Sequence, residues 1–297
     1  MIPIGNISII GPGRVGQTLG RALANKGCRI SDVIGRRDER VQQAVEFIGN
    51  GRGSTRLSEL SDEFQVLLMA VPDDNLEEMA AELSTLEVSL SHKWAFHFSG
   101  SQSSEVLKPL AARGMHTGSM HPLMSFPDPA TALQHLPGIY YCLEGDAEAV
   151  AVAQQLVVLL EGKHFSIATE HKPLYHSAAV LACGQMIALL DIAFSLWRSI
   201  GVDPDTTRAA LLPLIKSAVA GVEQLGPQKA LTGPFSRGDL STIEKHLREL
   251  GRLNQQYAEI YTALGQHALT LSRVSDERKA AIQRILLDQP SRTSQRR

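Results

Sequence analysis

The chain has 297 residues, of which 43% are hydrophobic and 20% are charged, and its 29 basic and 31 acidic side chains give a formal net charge of -2. This composition excludes a disordered chain, a collagen-like chain and a strongly basic nucleic-acid-binding protein. The length is about twice the usual domain size of roughly 100 to 150 residues, so we expect two domains.

The cysteine pattern and the apolar segments predict a cytoplasmic protein. The three cysteines, Cys28, Cys142 and Cys183, are too few and too scattered for a disulfide framework. The N-terminal apolar stretch has no basic segment before it and resembles a first strand, not a signal peptide. The longest uncharged apolar stretch, residues 177–190, is shorter than the roughly 20 residues that cross a bilayer, so we predict no membrane span.

The first half of the chain alternates short β-branched runs with helical patterns, which is typical of a parallel sheet covered by helices. The predicted strands are residues 7–10, 29–34, 65–71, 94–98 and 139–143. The predicted helices are residues 14–27, 41–48, 74–84, 104–113 and 146–160.

From about residue 169 to residue 287 the periodicity is almost wholly helical. The predicted helices are residues 173–200, 205–225, 241–250, 253–271 and 276–287. Predicted helix starts are Asp203 followed by Pro204, a capping box formed by Ser241 and Glu244, and Ser275, while Pro290 is predicted to end the last helix. We place a domain boundary between residues 168 and 169, and we predict a frayed tail at residues 289–297.

A glycine-rich turn, Gly11-Pro12-Gly13-Arg14-Val15-Gly16, lies between the first predicted strand and its helix. This GxGxxG spacing in a strand-turn-helix context predicts a dinucleotide site, with Gly11, Gly13, Arg14, Val15 and Gly16 around the pyrophosphate. The first glycine permits the tight turn, the second lets the backbone approach the anion, and the third lets helix and strand pack closely. The alternative is a structural turn without a ligand.

Arg36 and Arg37 follow the end of the second predicted strand, at the position where an NAD site normally has an acidic residue. Two guanidinium groups suit a 2′-phosphate, so we predict NADP as the cofactor. The alternative is a solvated charged loop with the neighbouring acidic residues. Val71 and Pro72, after the third predicted strand, are expected beside the cofactor ribose and nicotinamide, and Asp73 and Asp74 are expected to cap the next helix.

Four further segments resemble one family: His97-Phe98-Ser99-Gly100-Ser101, Gly118-Ser119-Met120-His121-Pro122-Leu123, Lys172-Pro173-Leu174-Tyr175-His176, and residues 230–239, ALTGPFSRGD. The chain resembles Rossmann-like NADP-dependent oxidoreductases with a C-terminal helical domain of unknown function. That family is related to 6-phosphogluconate, β-hydroxyacid and prephenate dehydrogenases and to pyrroline-5-carboxylate reductase. The resemblance implies an α/β fold: a doubly wound parallel sheet at residues 1–168, then an all-α domain of the 6-phosphogluconate dehydrogenase type at residues 169–288.

The resemblance also implies a substrate cleft between the domains and assigns roles to residues. Lys172 matches the proton-transferring lysine of β-hydroxyacid dehydrogenases, and His176 stands where those enzymes have a substrate-binding asparagine, which leaves the substrate class open. Their spacing puts both on one helical face. His121 is a second candidate for proton exchange. Its alternative is a loop histidine bonded to the backbone.

Substrate-binding candidates are Ser99, Gly100 and Ser101, whose hydroxyl and N–H groups suit a carboxylate, and Arg237, which suits an anion. The alternatives are a turn that caps the following helix and an ion pair of Arg237 with Asp239. No histidine pair has metal-site spacing, so we predict no metal.

Two hypotheses of function follow. The first is an NADP-dependent oxidoreductase that moves a hydride to or from a small polar, anionic substrate, with Lys172 or His121 handling the proton. The second is a non-catalytic NADP-binding or sensing protein, because fold alone does not decide activity. We further predict a homodimer joined through the helical domain after about residue 170, since the apolar helix 173–200 needs cover on nearly every face. We expect no nucleic-acid or membrane partner.

Overall fold

The computed structural model describes residues 5–288, which form two compact units that divide between residues 186 and 187. The predicted tail at residues 289–297 and the predicted helix end at Pro290 lie outside the described residues. The predicted domain boundary at residues 168 and 169 stays a prediction.

The first unit is built on one eight-stranded sheet in the order β3-β2-β1-β4-β5-β6-β7-β8. The strands are β1 (Asn6–Ile10), β2 (Arg29–Ile34), β3 (Arg52–Ser54), β4 (Val66–Met69), β5 (Trp94–His97), β6 (His116–Pro122), β7 (Tyr140–Gly145) and β8 (Lys163–Ser166). All neighbouring pairs are parallel except β6 and β7, which are antiparallel. The predicted doubly wound parallel sheet is therefore confirmed, with one antiparallel pair, β6 and β7, where the chain turns back instead of crossing over.

Seven helices accompany the sheet within the described part of the first unit. They are α1 (Arg14–Asn25), α2 (Asp38–Ile48), α3 (Leu76–Ser84), α4 (Lys108–Ala111), α5 (Pro129–His135), α6 (Ala147–Leu159) and α7 (Lys172–Val180). The predicted strands and helices of this half are confirmed, with most ends shifted by one to three residues. The predicted helix at 104–113 is shorter, a 3₁₀ turn followed by α4.

Alternation of buried side chains along the central strands produces two cores, one on each face of the sheet. In β4, Val66 and Leu68 belong to one hydrophobic cluster, and Leu67 and Met69 belong to the other. A strand that is apolar on both faces requires cover on both faces, which is the doubly wound arrangement. The strand order reverses at β1, which has β2 on one side and β4 on the other. Ligands of open α/β sheets bind at such a switch point.

Four elements of the first unit were missed: β3, β6, α5 and β8. β6 has the sequence HTGSMHP and β8 has KHFS, and neither run is rich in β-branched residues. β6 pairs with a strand on each side and β8 pairs with β7, so their strand conformation comes from ladder partners, a tertiary influence that local propensity does not report.

The second unit is helical throughout its described part. Its helices are α8 (Met186–Ser199), α9 (Pro204–Leu225), α10 (Pro227–Ala230), α11 (Pro234–Arg237), α12 (Leu240–Leu253), α13 (Gln255–Leu271) and α14 (Asp276–Leu287). Its core contains Phe235, Ile243, Leu247, Leu269, Ile282 and Leu286.

The predicted caps of the second unit are confirmed at two of three positions. The Asp203 carboxylate accepts from the backbone N–H groups of Asp205 and Thr206, and the Ser275 hydroxyl accepts from that of Arg278. The capping box at Ser241 was wrong, because α12 begins one residue earlier and Ser241 lies in its first turn.

The predicted helix at 173–200 is present as α7, a π-helical turn at Leu181–Gln185, and α8. No side chain of α8 is buried. By length and composition the helical stretch Thr169–Ser199 could cross a membrane, and it is the only such stretch in residues 5–288. A single helix of this kind is weak evidence for a membrane span.

Candidate active site

A cavity of about 790 Å³ lies at the carboxyl ends of β1, β2 and β4, beside the glycine-rich turn. Of the predicted cofactor-binding residues, all but Gly16 line it: Gly11, Gly13, Arg14, Val15, Arg36, Arg37, Val71 and Pro72. Thr55, Asn75, Glu78, Met79 and Phe126 also border it. The volume is typical of sites for cofactors and other small molecules.

The three motif glycines face different surroundings. Gly11 has φ +96°, and a Cβ there would lie 2.4 Å from the Ala70 carbonyl oxygen. At Gly16 a Cβ would lie 2.3 Å from the Gly11 carbonyl oxygen, so this glycine permits the close approach of helix and turn and need not line the cavity. At Gly13 a Cβ would meet nothing within 4 Å. Protein packing therefore does not require glycine at position 13, and the open space beside it suits an approaching ligand.

Three arginines face the cavity at the end of β2. Arg36 and Arg37 were predicted there, and Arg40, in the first turn of α2, lines it as well. Arg40 was not among the cofactor-binding residues that the sequence predicted. Its position three residues after Arg37, at the start of a helix, is the sequence signal that could have identified it. A cluster of guanidinium groups suits a phosphate monoester.

Asp73 does not cap α3, and neither does Asp74, so this prediction was wrong: the residue before α3 is Asn75, and the helix start has no side-chain cap. The Asp73 Oδ2 atom accepts from the Ser99 hydroxyl at 2.6 Å and from the Ser101 hydroxyl at 2.9 Å. Both are charge-assisted hydrogen bonds, the stronger kind in proteins. Asp73 thereby joins the chain segment after Pro72 to the loop after β5.

That loop, Ser99-Gly100-Ser101, is closed by its own hydrogen bonds. The Ser99 hydroxyl accepts from the backbone N–H groups of Ser101 at 3.2 Å and Gln102 at 2.9 Å. Both serine hydroxyls donate to Asp73. The hydroxyls predicted to hold a substrate carboxylate are therefore already committed to a carboxylate of the protein.

Lys172 begins α7 and is fully buried. Its Nζ donates to the Ser99 carbonyl oxygen at 2.8 Å and to the Ser119 hydroxyl. Burial lowers the pKa of Lys172, and the nearby Glu144, Cys142 and Asp73 act in the opposite direction. The ammonium group ties α7 to β6 and to the loop after β5.

His121 lies on β6, not in a loop, and its Nδ1 is 2.7 Å from the Tyr175 hydroxyl of α7. Burial, followed by the charges of Lys172 and His176, lowers the pKa of His121 to about 4. A ring with this pKa is neutral at pH 7. The alternative, a loop histidine bonded to the backbone, does not describe it.

His176 lies one turn after Lys172, and its ring meets that of His121 edge to face, with centroids 5.8 Å apart. A Cβ on Gly100 would lie 2.3 Å from His176 Cδ2 and 2.9 Å from His121 Nε2. Gly100 therefore lets both rings pack against the backbone of this loop. The structure thus brings together six predicted residues from separate segments: Ser99, Gly100, Ser101, His121, Lys172 and His176.

The sequence interpretation missed two buried groups next to this cluster. The Glu144 carboxylate of β7 accepts from the backbone N–H and hydroxyl of Ser104 and from the Thr169 hydroxyl, at 2.7 to 2.8 Å. The His97 ring lies between the Ser99 N–H and the Ser103 carbonyl oxygen, each at 3.2 Å. Burial and then Lys172 lower the pKa of His97 to about 3. Both residues brace the loop after β5.

Arg237 lies in the second unit and forms an ion pair with Asp239 at 2.8 Å. This ion pair is the alternative that the sequence predicted for the loop. The Arg237 side chain is nevertheless 64% exposed. Within residues 5–288, no group of three or more His, Cys, Asp or Glu side chains is arranged to hold a metal ion.

Comparison with known families defines the class of the chain. Residues 3–122 match the Rossmann-like domain family, and residues 139–268 match DUF2520, a domain of unknown function. The chain therefore combines a Rossmann-like domain with a C-terminal DUF2520 domain. No curated protein matches it.

Solved structures share this fold along most of the chain. A Bacteroides fragilis protein, provisionally described as an NADP oxidoreductase, is 23% identical with a TM-score of 0.75, covering 90% of this chain and 98% of its own. A reductive aminase from Aspergillus terreus, in complex with NADPH and ethyl-5-oxohexanoate, is 17% identical with a TM-score of 0.61, covering 95% and 92%. Pyrroline carboxylate reductase from Plasmodium falciparum, with NADP bound, is 13% identical with a TM-score of 0.58, covering 95% and 99%.

Proposed function

We propose that this chain is an NADP-dependent oxidoreductase that moves a hydride to or from a small polar substrate. The observation that carries the proposal is the cavity beside the glycine-rich turn, bordered by Arg36, Arg37 and Arg40. The NADP and NADPH complexes of proteins with the same fold support it.

The residues around the cavity fit the cofactor part by part. The open space at Gly13 and the N–H groups at the start of α1 suit the pyrophosphate, and the arginines suit a 2′-phosphate. Val71 and Pro72 would lie along the ribose and nicotinamide. When bound, the nicotinamide supplies or accepts the hydride, and the protein supplies the proton and orients the substrate.

Lys172 or His121 is the proposed proton-handling group. Both lie in the cluster around the loop after β5, and Asp73, which bonds to that loop, directly follows the cavity residues Val71 and Pro72. Because the Ser99 carbonyl oxygen covers the Lys172 ammonium group, proton delivery by Lys172 requires that this loop moves.

An anionic substrate was expected from the sequence. With the hydroxyls of Ser99 and Ser101 bonded to Asp73, that expectation depends on Arg237. We therefore propose screening keto acids and imines in parallel. If the substrate is an anion, Arg237→Met should raise the KM for keto acids and leave the KM for neutral imines unchanged.

The cofactor is tested by titrating NADPH and NADH. The double variant Arg36→Ala, Arg37→Ala should bind NADPH more weakly by about 1 to 3 kcal/mol, the range for charge-assisted hydrogen bonds, with NADH almost unchanged. Arg29→Ala is the matched control, because Arg29 is exposed on β2 and pairs with Glu63. Tighter binding of NADH than NADPH by the unmodified protein would contradict the proposal.

Turnover is tested with Lys172→Met. We expect this variant to keep NADPH binding and to lose NADPH oxidation, because the cavity does not include Lys172. It should also lose about 1 to 3 kcal/mol of stability, since the Ser99 carbonyl and Ser119 hydroxyl lose a donor. Turnover that survives would leave Lys172 with a structural role alone. Tight NADPH binding without turnover of any substrate by the unmodified protein would favour the sensing alternative.

We also propose that the chain forms a homodimer through residues after about 170. The support is the exposure of large apolar side chains along the long helix, among them Leu174, Leu181, Ile187 and Leu189.

A further inference from the structure

Tyr175 and His121 form a hydrogen-bonded pair that packs against neighbouring aromatic side chains. The Tyr175 hydroxyl is 2.7 Å from His121 Nδ1, and the two rings meet edge to face with centroids 5.6 Å apart. On its other side the Tyr175 ring meets Phe165 of β8, with centroids 5.9 Å apart. His121 itself is paired in register with Cys142 of β7. Two strands and a helix therefore fix the orientation of the His121 ring.

The direction of this hydrogen bond follows from the acceptors within reach of the phenol. The Tyr175 O–H group faces the Nδ1 atom of a neutral imidazole and the buried sulfur of Cys142. Sulfur is a weak acceptor, whereas an imidazole nitrogen with a free lone pair is a good one. The phenol therefore donates to Nδ1, and the ring proton of His121 is on Nε2.

The Nε2 atom has no hydrogen-bond partner among the described residues, and it is not one of the buried polar atoms that lack a partner, so it is open to solvent. A Cβ on Gly100 would lie 2.9 Å from Nε2 and 2.3 Å from His176 Cδ2, so the two histidine rings occupy the place of a side chain at position 100. Gly100 is not among the residues with positive φ, so packing of these rings and not backbone conformation demands glycine there. A group that bonds to the Nε2–H donor would approach it from the solvent side.

We infer that Tyr175 is a positioning residue that holds His121 as a neutral Nε2–H donor, and that His121 hydrogen-bonds to the carbonyl oxygen or imine nitrogen of the substrate without exchanging its own proton. The proton that accompanies the hydride is then handled by Lys172. The substrate part of this inference rests on the proposed function. A neutral donor polarises the carbon that receives the hydride and stabilises the charge that develops on its oxygen or nitrogen.

The charged and titratable groups around the ring favour the neutral form. Lys172 and His176 of α7 oppose a charge on His121, and only Asp73 acts in the other direction. Burial is the largest contribution, and together they lower the pKa of His121 to about 4. An imidazole that is neutral over the working pH range suits hydrogen bonding better than proton delivery.

The tautomer is tested by nitrogen NMR of ¹⁵N-histidine-labelled protein, with the His121 signals assigned through His121→Gln. In the unmodified protein we expect an unprotonated Nδ1 and a protonated Nε2 at pH 7. In Tyr175→Phe we expect a mixture of tautomers and a higher pKa of His121, because the bond that stabilises the free Nδ1 lone pair is lost. Tyr140→Phe is the matched control, since Tyr140 meets Phe165 but makes no bond to His121. A protonated Nδ1 in the unmodified protein, or an unchanged tautomer in Tyr175→Phe, would overturn the assignment.

The substrate role is tested with two replacements of His121. Loss of one such donor lowers kcat about 100- to 1000-fold, so we expect the kcat of His121→Leu to be lower than that of the unmodified protein by this factor. Glutamine carries an N–H group near the position of Nε2 but cannot deliver a proton, so His121→Gln should recover most of the loss. Equal loss in both variants would show that His121 transfers a proton. If the unmodified protein oxidises no NADPH, the proposed function and the substrate role fail together, and the NMR result alone decides the role of Tyr175.

Discussion

At the scale of single residues, identical residue types in one motif serve different physical needs. Gly11 has positive φ, Gly16 has no room for a Cβ, and Gly13 has neither constraint. The spacing of the motif predicted these roles, but only the atoms around each glycine distinguish packing from ligand access.

This distinction predicts opposite behaviour for two alanine variants. Gly13 has φ -82° and ψ -172°, which any residue adopts, so Gly13→Ala should fold with unchanged stability. Its NADPH affinity should fall about tenfold or more, a loss of about 1.4 kcal/mol, because the methyl group occupies the ligand space. Gly16→Ala should lose about 1 to 3 kcal/mol of stability through overpacking against the Gly11 carbonyl.

Chemical denaturation and NADPH titration of both variants separate the two effects. Unchanged NADPH affinity in Gly13→Ala would mean that no ligand approaches the turn closely, and the cofactor assignment would lose its main support.

At the scale of elements, helix starts show where local sequence rules hold and where they fail. Asp146 precedes α6 and accepts from the Ala149 N–H at 2.8 Å, and its second oxygen accepts from the Thr117 N–H of β6 at 2.7 Å. Ser241 has the spacing of a capping box but lies inside α12. The residue that caps is the one whose backbone leaves the helix, and that depends on the preceding chain.

We expect Asp146→Ala to lower the free energy of unfolding by about 1 to 2 kcal/mol, the upper part of the range for a lost helix cap. The loss lies in this upper part because the substitution removes the bond to β6 together with the cap. Ser241→Ala is the control and should change it little. Urea unfolding of both variants measures the difference. A larger loss for Ser241→Ala than for Asp146→Ala would contradict this account of the two helix starts.

At the scale of the whole molecule, the long apolar helix Thr169–Ser199 is the main feature that a single chain does not cover. Its exposed apolar side chains need cover, and closed two-fold pairing is the commonest solution among oligomers. Among residues 5–288 it is also the only helix with the length and composition to cross a membrane.

We expect light scattering without detergent to give twice the mass of one chain. Ile187→Glu, on the long helix, should shift the protein towards the monomer by placing a charge in the interface. Val158→Glu, on α6, is a control of similar exposure and should leave the mass unchanged. A monomeric unmodified protein, or recovery of the protein in the membrane fraction, would refute the dimer.

The sequence by itself determined the alternation of strands and helices in the first half, the helical character of the second half, and the glycine-rich turn with its arginines. These features are local: periodicity, turn chemistry and spacing report on neighbours in the chain. It also identified Lys172, His121 and the Ser99 loop, through family resemblance and not through spacing.

Only the tertiary structure decided what those residues contact. Asp73 bonds to serines more than 25 residues away, Tyr175 meets a histidine 54 residues earlier, and β6 is a strand because β5 and β7 flank it. Such contacts depend on how the sheet brings distant segments to one edge. Local propensity and periodicity do not contain that information, because each strand end is placed by partners elsewhere in the chain.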